Sequence, residues 1–250
     1  MGRTSESGMA ADSLPQGEEK AVAVREMFDA IAPRYDLVNR IMTFRLDTRW
    51  RRKTVAALAL QPKALVLDLA AGTGDLCRDL QASGYQAIGV DLSFGMLHSA
   101  RTTAPLVQAD ATVLPVPSRS VDGATCGLAM RNLVDLQAFF DELARVVRPG
   151  GRIALLEVAE PPNPLMRWGH SIYFGKVVPL IGGLLSDPNA YRYLPRSVAY
   201  LPEPNEMIAM LRRSGFGDTT RQLLSGGISQ LFVATRDVST RDTLQPETHR

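Results

Sequence analysis

Two glycines and a carboxylate follow an apolar run with the spacing of a nucleotide site. The run 64–69 leads to Gly72 and Gly74, and Asp91 lies 17 residues beyond the second glycine. Glycine adopts backbone dihedrals that a side chain forbids and lets a ligand approach the chain closely. A carboxylate at the end of the following strand can accept hydrogen bonds from a ribose diol. These residues predict a site for a nucleotide-like ligand.

Two neighbouring residues argue against a dinucleotide at this site. The dinucleotide fingerprint requires Gly or Ala three positions after the second glycine, where this chain has Cys77. Asp75 places a negative charge at the start of the next helix, where a pyrophosphate would have to bind. The sequence therefore favours a cationic ligand without phosphate.

The elements that must position these residues alternate between strand and helix. Runs typical of strands recur after residue 64, separated by segments with helical spacing and, before the fifth strand, by a Pro149–Gly151 turn. Such alternation predicts an α/β fold with a doubly wound, mostly parallel sheet of seven strands. The predicted strands are 64–69, 86–90, 106–109, 121–129, 152–158, 216–224 and 228–234, and the predicted helices between them are 75–81, 93–101, 136–147 and 203–213.

Helices precede the sheet, and a long insertion follows the fifth strand. Apolar spacing predicts N-terminal helices over 21–31, 37–44 and 47–60, with Asp47 as the N-cap of the third. The insertion, residues 159–202, is too long for a passive connection, so we expect a helical layer that covers the substrate. We expect a single domain over 20–236, with disordered tails at 1–19 and 237–250.

The composition excludes several classes of protein. The chain has 250 residues, 45% of them hydrophobic and 22% charged, which is typical of a folded domain. A formal charge of +2 supplies no concentrated basic field, so nucleic acid is not an expected partner. The two cysteines, Cys77 and Cys126, indicate neither a disulfide framework nor a metal site, and a reducing cytoplasm fits them. The longest apolar run, 171–186, contains Lys176 and Pro179 and is too short to span a bilayer.

The glycine motif resembles that of the class I S-adenosylmethionine-dependent methyltransferases, in which a strand ends D-x-A-x-G-x-G. Four residues match position by position, namely Asp68, Ala70, Gly72 and Gly74. The resemblance implies a Rossmann-like fold and S-adenosylmethionine as the cofactor. It implies that Asp91 holds the ribose hydroxyls and that Asp110 and Ala111 meet the adenine. The remaining residues that it places at the cofactor are Asp68, Ala70, Gly72, Thr73, Gly74 and Gly127.

Further motifs resemble the menaquinone and ubiquinone biosynthesis C-methyltransferase family, from about Val24 to Arg236. They are F-D-A-I-A-P-R-Y-D at 28–36, the Arg-Asn pair after strand four, and D-x-x-x-Y-x-Y-L from residue 187. The resemblance implies methyl transfer, without a metal, to a ring carbon of a demethylated polyprenyl quinol such as demethylmenaquinol. A ring carbon is a poor nucleophile until a ring hydroxyl loses its proton, so the protein must position the ring and stabilise its charge. The candidate catalytic residues are Tyr35, Arg131, Asn132, Asp187 and Tyr191, with Tyr193 as an alternative to Tyr191.

Three departures from the family pattern lie near the expected pocket. The fourth strand ends Leu128-Ala129-Met130 instead of F-G-L, Arg45 replaces a usual glycine, and Pro195 begins a tract that is usually acidic. A changed pocket wall is one way in which a fold serves different substrates. These departures favour a second interpretation, a methyltransferase for another small phenolic or lipid-like acceptor. A further interpretation, independent of the departures, is a protein that binds the cofactor without turnover.

Several candidate residues also have a purely structural interpretation. Tyr191 and Tyr193 could be packed side chains, Arg131 could pair with Asp135 to hold its loop, and Asp187 could cap a helix. The apolar run 173–185 could be ordinary core, or it could accept an isoprenoid chain during transient contact with a membrane surface. The sequence leaves the oligomeric state open.

Overall fold

One seven-stranded sheet organises the residues that the computed structural model describes, which are 16–178, 180, 193 and 196–238. The order in the sheet is β3-β2-β1-β4-β5-β7-β6, and β7 runs antiparallel to both of its neighbours. The predicted doubly wound, mostly parallel sheet is confirmed. The strands are β1 (Leu65–Leu69), β2 (Gln86–Asp91), β3 (Leu106–Gln108), β4 (Val121–Gly127), β5 (Val147–Val158), β6 (Phe216–Leu224) and β7 (Ser229–Arg236).

Helices cover both faces of this sheet. Because the central strands are parallel, both of their faces are apolar and must be buried. One face packs against a cluster that includes Phe139 and Phe140, and the other against a cluster that includes Trp50 and Leu58. The helices are α1 (Gly17–Ile31), α2 (Tyr35–Met42), α3 (Leu46–Leu58), α4 (Asp75–Ala82), α5 (Phe94–His98), α6 (Leu136–Val146), α7 (Pro164–Ile172) and α8 (Pro204–Arg213).

The strand order reverses between β1 and β4, the two central neighbours. In open α/β sheets, ligands bind beyond the carboxyl ends of the strands at such a reversal. The β1–α4 turn and the short helical turn Met130–Asn132 after β4 both lie there. Within the predicted insertion, residues 159–163 are not helical, and α7 then continues into a π-helical turn, Tyr173–Val177. Nowhere in the described ranges does a helix combine the length and apolarity needed to cross a bilayer.

Two predictions at the N-terminal helices are wrong. Helix α1 begins at Gly17, so the last three residues of the predicted tail, 17–19, are helical; Glu18 and Glu19 suit the positive end of the helix dipole. Asp47 does not cap α3, because Arg45 occupies the cap with a left-handed φ of 61°. Asp47 lies inside the first turn, where it accepts a hydrogen bond from Thr43 and pairs with Arg51. A left-handed cap favours glycine, which is the residue that the family resemblance leads one to expect at the position of Arg45.

The predicted turn at Pro149–Gly151 lies inside strand β5. Val147 already pairs with Val121, and the register then shifts before Arg152 pairs with Gly123. Gly150 adopts a φ of 77° within this irregularity. The sequence signal for a turn therefore marks a bulge that the strand passes through.

Candidate active site

The β1–α4 turn has an unusual backbone for its sequence. Ala70, Gly72 and Gly74 have φ values of 53°, 55° and 80°. A Cβ added to Gly72 would meet no atom within 4 Å, whereas one added to Gly74 would lie 2.7 Å from the Thr102 side chain. Gly74 therefore serves close packing and the start of α4, and Gly72 leaves space for a ligand. Strained residues such as Ala70 cluster at functional sites.

Asp91 ties the end of β2 to this turn. Its Oδ2 accepts a hydrogen bond from the Gly72 amide at 2.7 Å, and its Oδ1 accepts one from the Ser93 amide at 2.8 Å. Burial raises the pKa of Asp91, and the two amide hydrogen bonds oppose that shift. Each carboxylate oxygen can accept a second hydrogen bond. Asp91 is thus held in place with acceptor capacity left for a diol.

A cavity of about 350 Å³ opens beside these residues. Of the residues predicted to bind the cofactor, six line it: Ala70, Gly72, Asp91, Asp110, Ala111 and Gly127. We call it the nucleotide cavity. Asp110 accepts hydrogen bonds from the amide and hydroxyl of Thr112, which fix its side chain at the rim.

Asp68 and Thr73 lie beneath the turn, at a smaller cavity of about 70 Å³. Asp68 is buried and accepts hydrogen bonds from Thr125 and Cys77, and burial raises its pKa to about 7. Thr73 donates a hydrogen bond to Asp36 and so joins the turn to α2. Asp68 and Thr73 thus stabilise the turn through these hydrogen bonds.

Asp75, at the start of α4, is not the unpaired negative charge that the sequence analysis expected. Asp75 is paired with Arg51 at 3.0 Å and also with Arg78, so it is not the free negative charge that argued against a pyrophosphate. Arg51 also pairs with Asp47 and Asp79. This network packs α3 against α4 and borders the small cavity with charged groups of both signs.

Asn132 presents an unused hydrogen-bond donor at the nucleotide cavity. The side chain is 8% exposed, and its Nδ2 has no hydrogen-bond partner among the residues that the structure describes. The Tyr193 hydroxyl donates to its Oδ1 at 3.3 Å, and burial raises the pKa of Tyr193 to about 12, so this phenol keeps its proton. Because buried polar groups are nearly always hydrogen-bonded, this amide is available to donate to a ligand in the cavity.

Arg131 lies one residue before Asn132 but faces a different cavity. Its Nη1 pairs with Glu157 Oε1 at 2.6 Å and donates to the carbonyl of Leu128, while its Nε donates to Ser197. The predicted structural partner, Asp135, instead caps α6 by accepting a hydrogen bond from the Ala138 amide. The pairing of Arg131 with Asp135 is therefore wrong, because Glu157 on β5 neutralises the guanidinium.

The second cavity, about 310 Å³, is mostly apolar, and we call it the apolar cavity. It lies between α2, the start of α3 and the insertion, with Phe44, Trp50, Met166, Tyr173 and Phe174 among its lining residues. Tyr35 and Leu128 line both this cavity and the nucleotide cavity. Burial raises the pKa of Tyr35, although its hydrogen bond with Asn39 and the charge of Arg131 oppose the shift, so Tyr35 keeps its phenolic proton.

Helix α1 forms the outer wall of the nucleotide cavity, to which it contributes Glu18, Val24 and Phe28. Lys20 fastens this helix to the domain. Its Nζ donates to the Leu133 carbonyl at 2.7 Å and lies 3.6 Å from the centroid of the Tyr200 ring. Burial lowers the pKa of Lys20 to about 8.

Two residues in or beside the apolar cavity were not among the predicted site residues. Glu157 forms the buried pair with Arg131, and its only signal is a carboxylate in an otherwise apolar strand. His170 lines the cavity, and its signal is helical spacing to Tyr173 and Phe174. Asp187 and Tyr191, predicted as catalytic, fall outside the described residues, and their roles stay predictions.

The chain is similar to known proteins over most of its length. The model of the ubiE/COQ5 methyltransferase family matches residues 15–236. The ubiquinone/menaquinone biosynthesis C-methyltransferase UbiE of Syntrophotalea carbinolica is 40% identical over 223 residues, which cover 86% of this chain and 94% of that protein. A demethylmenaquinone methyltransferase of Roseiflexus castenholzii is 40% identical over 237 residues, covering 91% and 99%.

Solved structures share the fold at lower sequence identity. A chain in the complex of the Haloferax volcanii Trm112 methyltransferase activator with a methyltransferase superposes with a TM-score of 0.62 at 16% identity, covering 84% of this chain and 98% of that one. At that identity the likeness supports the Rossmann-like fold alone. The family match extends over both cavities, the turn and the Arg-Asn pair, and the protein therefore belongs to the ubiE/COQ5 methyltransferase family.

Proposed function

We propose that this protein transfers a methyl group from S-adenosylmethionine to a ring carbon of a demethylated polyprenyl quinol, converting demethylmenaquinol to menaquinol. The observation that carries the proposal is a shared wall: Tyr35 and Leu128 line both the nucleotide cavity and the apolar cavity. Relatives about 40% identical are named for this activity. Two reactants bound on either side of one wall would meet at its edge, which gives the proximity that a bimolecular transfer requires.

The nucleotide cavity fits S-adenosylmethionine. Gly72 leaves room against the backbone, Asp91 retains acceptor capacity for two hydroxyls, and Asn132 offers an unpaired amide. When bound there, the cofactor supplies an electrophilic methyl group on a positively charged sulfur. Asp91 would hold the ribose, and Asp110 and Ala111 would line the adenine side.

The residues around the apolar cavity suit a quinol with a hydrocarbon tail. Aromatic and aliphatic side chains would exclude water from the ring and bind the isoprenoid chain. Tyr35, which keeps its proton, can donate a hydrogen bond to a ring oxygen. Arg131 carries a permanent positive charge at the same cavity and can stabilise a ring oxygen as negative charge develops there. Asp187 and Tyr191 remain proposed catalytic residues on the family resemblance.

A label-transfer assay tests this function. The purified protein is incubated anaerobically, under reducing conditions, with methyl-tritiated S-adenosylmethionine and a short-chain demethylmenaquinol. We expect label in a carbon-methylated naphthoquinone. Simple phenols tested in parallel represent the alternative acceptor. Cofactor binding with transfer only to a phenol, or with no transfer, would contradict the proposed acceptor.

We also propose that the protein works at a membrane surface, because a lipid-like quinol resides there. Three large apolar side chains project into solvent near the apolar cavity: Phe44 is 72% exposed, Leu165 76% and Trp168 67%. Residues 37–53 and 163–178, which bracket that cavity, contain eight Lys and Arg residues and one acidic residue, whereas the whole chain has 28 against 26. Apolar side chains with a local excess of positive charge suit an anionic bilayer.

Vesicle sedimentation tests membrane contact. We expect binding to phosphatidylglycerol vesicles that weakens with salt and is absent with phosphatidylcholine. The double substitution Leu165→Ser and Trp168→Ser should weaken binding about tenfold or more, since each apolar side chain withdrawn from lipid costs about 1.5–3 kcal/mol. Leu223→Ser, at another exposed apolar residue, is the matched control. Equal binding by all three proteins would contradict the assignment of this surface.

A further inference from the structure

His170 is an unexplained polar residue in an apolar cavity. Its ring lies on α7 and packs on Phe174, with 4.3 Å between ring centroids. Its Nε2 is buried and has no hydrogen-bond partner in the described part of the chain. An unpaired buried nitrogen is rare in folded proteins, and one that lines a ligand-sized cavity points to a ligand that supplies the missing hydrogen bond.

The other polar residues lining the apolar cavity are poor proton acceptors. Arg131 has a guanidinium group, which only donates hydrogen bonds, and it is already paired with Glu157. Tyr35 and Tyr173 keep their protons, because burial raises the pKa of each. Asn39 and Thr43 carry only amide and hydroxyl groups, which do not accept protons near neutral pH. Among the described lining residues, His170 alone can accept a proton at neutral pH.

Burial favours the neutral form of the His170 imidazole. Burial lowers its pKa below the usual value of 6.5, and the negative charge of Glu160 opposes that shift. Across the cavity, Arg131 and Glu157 form a neutral pair, and the two tyrosines are uncharged. A neutral imidazole has one nitrogen free to accept a proton.

We infer that His170 is the general base that removes the ring hydroxyl proton of the bound quinol. The inference rests on the proposed function. The O–H bond breaks, and its proton moves to Nε2. The electron pair enters the ring, a bond forms between the ring carbon and the methyl group, and the methyl–sulfur bond breaks to leave a neutral thioether. The methylated carbon then loses its own proton to water as His170 returns a proton to the ring oxygen, which restores the aromatic quinol and releases one proton overall.

The substitution His170→Gln tests the inference, because glutamine can hydrogen-bond to the ring oxygen but cannot take its proton. We expect kcat to fall about 100-fold or more, the usual contribution of a general base, with KM changed only a few-fold. In the wild type, kcat/KM should rise with pH through a pKa below 6.5, and this acidic limb should disappear in the variant. The matched control is His98→Gln, at an exposed histidine that also packs on a phenylalanine. It should keep the wild-type kcat and the acidic limb of the kcat/KM profile.

Folding and substrate controls separate the possible outcomes. Thermal unfolding and cofactor titration establish whether His170→Gln is folded. If the variant is not folded, the test uses NMR of histidine-labelled wild-type protein instead. The spectrum of His98→Gln helps to assign the ring signals, and an oxidised quinone is added as the probe. A His170 ring signal that does not respond to the quinone would overturn the inference, as would a folded variant within threefold of wild-type kcat. Wild-type protein that binds the cofactor but does not methylate demethylmenaquinol would instead overturn the proposed function, and the inference with it.

Discussion

Replacing Asp91 by alanine should weaken binding of S-adenosylmethionine about 100-fold or more. The carboxylate is held by the amides of Gly72 and Ser93 and faces the nucleotide cavity, where it can accept both ribose hydroxyls. A hydrogen bond to a charged group contributes about 1.5–3 kcal/mol, and every 1.4 kcal/mol changes the dissociation constant tenfold. Two lost hydrogen bonds therefore account for at least that effect. Calorimetric titration of the purified variant with the cofactor measures it.

Two further variants separate ligand binding from support of the turn. Asp91→Asn keeps the shape and one acceptor oxygen, so its loss should be smaller than that of alanine. Asp141→Ala removes an exposed carboxylate on α6, outside the residues that line the nucleotide cavity, and should leave binding unchanged. A folded Asp91→Ala protein that binds the cofactor within threefold of wild type would disprove the role assigned to Asp91.

Replacing Arg131 by methionine should destabilise the fold as well as abolish activity. Glu157 is fully buried on β5 and pairs with Arg131 at 2.6 Å. Methionine at position 131 would leave this carboxylate without its partner, and removal of one member of a buried ion pair costs about 3–5 kcal/mol. Urea unfolding should show a loss of that size, which is large against the total stability of a typical domain.

A double substitution distinguishes the structural from the chemical role of Arg131. Glu157→Gln removes the buried charge, so Arg131→Met combined with Glu157→Gln should recover more than half of the lost stability. Its methyl-transfer rate should stay low, because no positive charge then faces the ring oxygen. Recovery of both stability and rate would show that Arg131 serves only the fold. A single Arg131→Met variant that loses less than about 1 kcal/mol would contradict the buried-pair energetics.

The sheet was predictable because its strands are short apolar runs separated by glycine turns and periodic helices. The N-terminal helix boundaries were less predictable, since they depend on contacts between distant residues. Asp47 is of a residue type that often caps helices, but its contacts with Arg51 and Thr43 hold it inside the helix. Pro149 and the following glycines have the composition of a turn, but pairing with β4 continues the strand around them.

The nucleotide cavity was also predictable, because its residues lie in two short motifs at the ends of adjacent strands. Six of the predicted cofactor residues line one cavity. The apolar cavity is assembled from α2, α3 and the insertion, which are far apart in sequence. Two features depend on that assembly: the ion pair of Arg131 with Glu157, and the lack of a described hydrogen-bond partner for His170 Nε2. No local sequence pattern predicts either of them.

The position of α1 has a consequence for the timing of the reaction cycle. This helix walls the nucleotide cavity and is fastened through the Lys20 ammonium to Leu133 and the Tyr200 ring. Asp29 also holds α1, by accepting hydrogen bonds from Ser93 and Gly95. A cofactor that leaves beside this wall should do so faster when the Lys20 attachment is lost. Since the pKa of Lys20 is about 8, alkaline solution removes the positive charge that holds the helix. We therefore expect product release to become faster in alkali, through a residue outside the reacting groups.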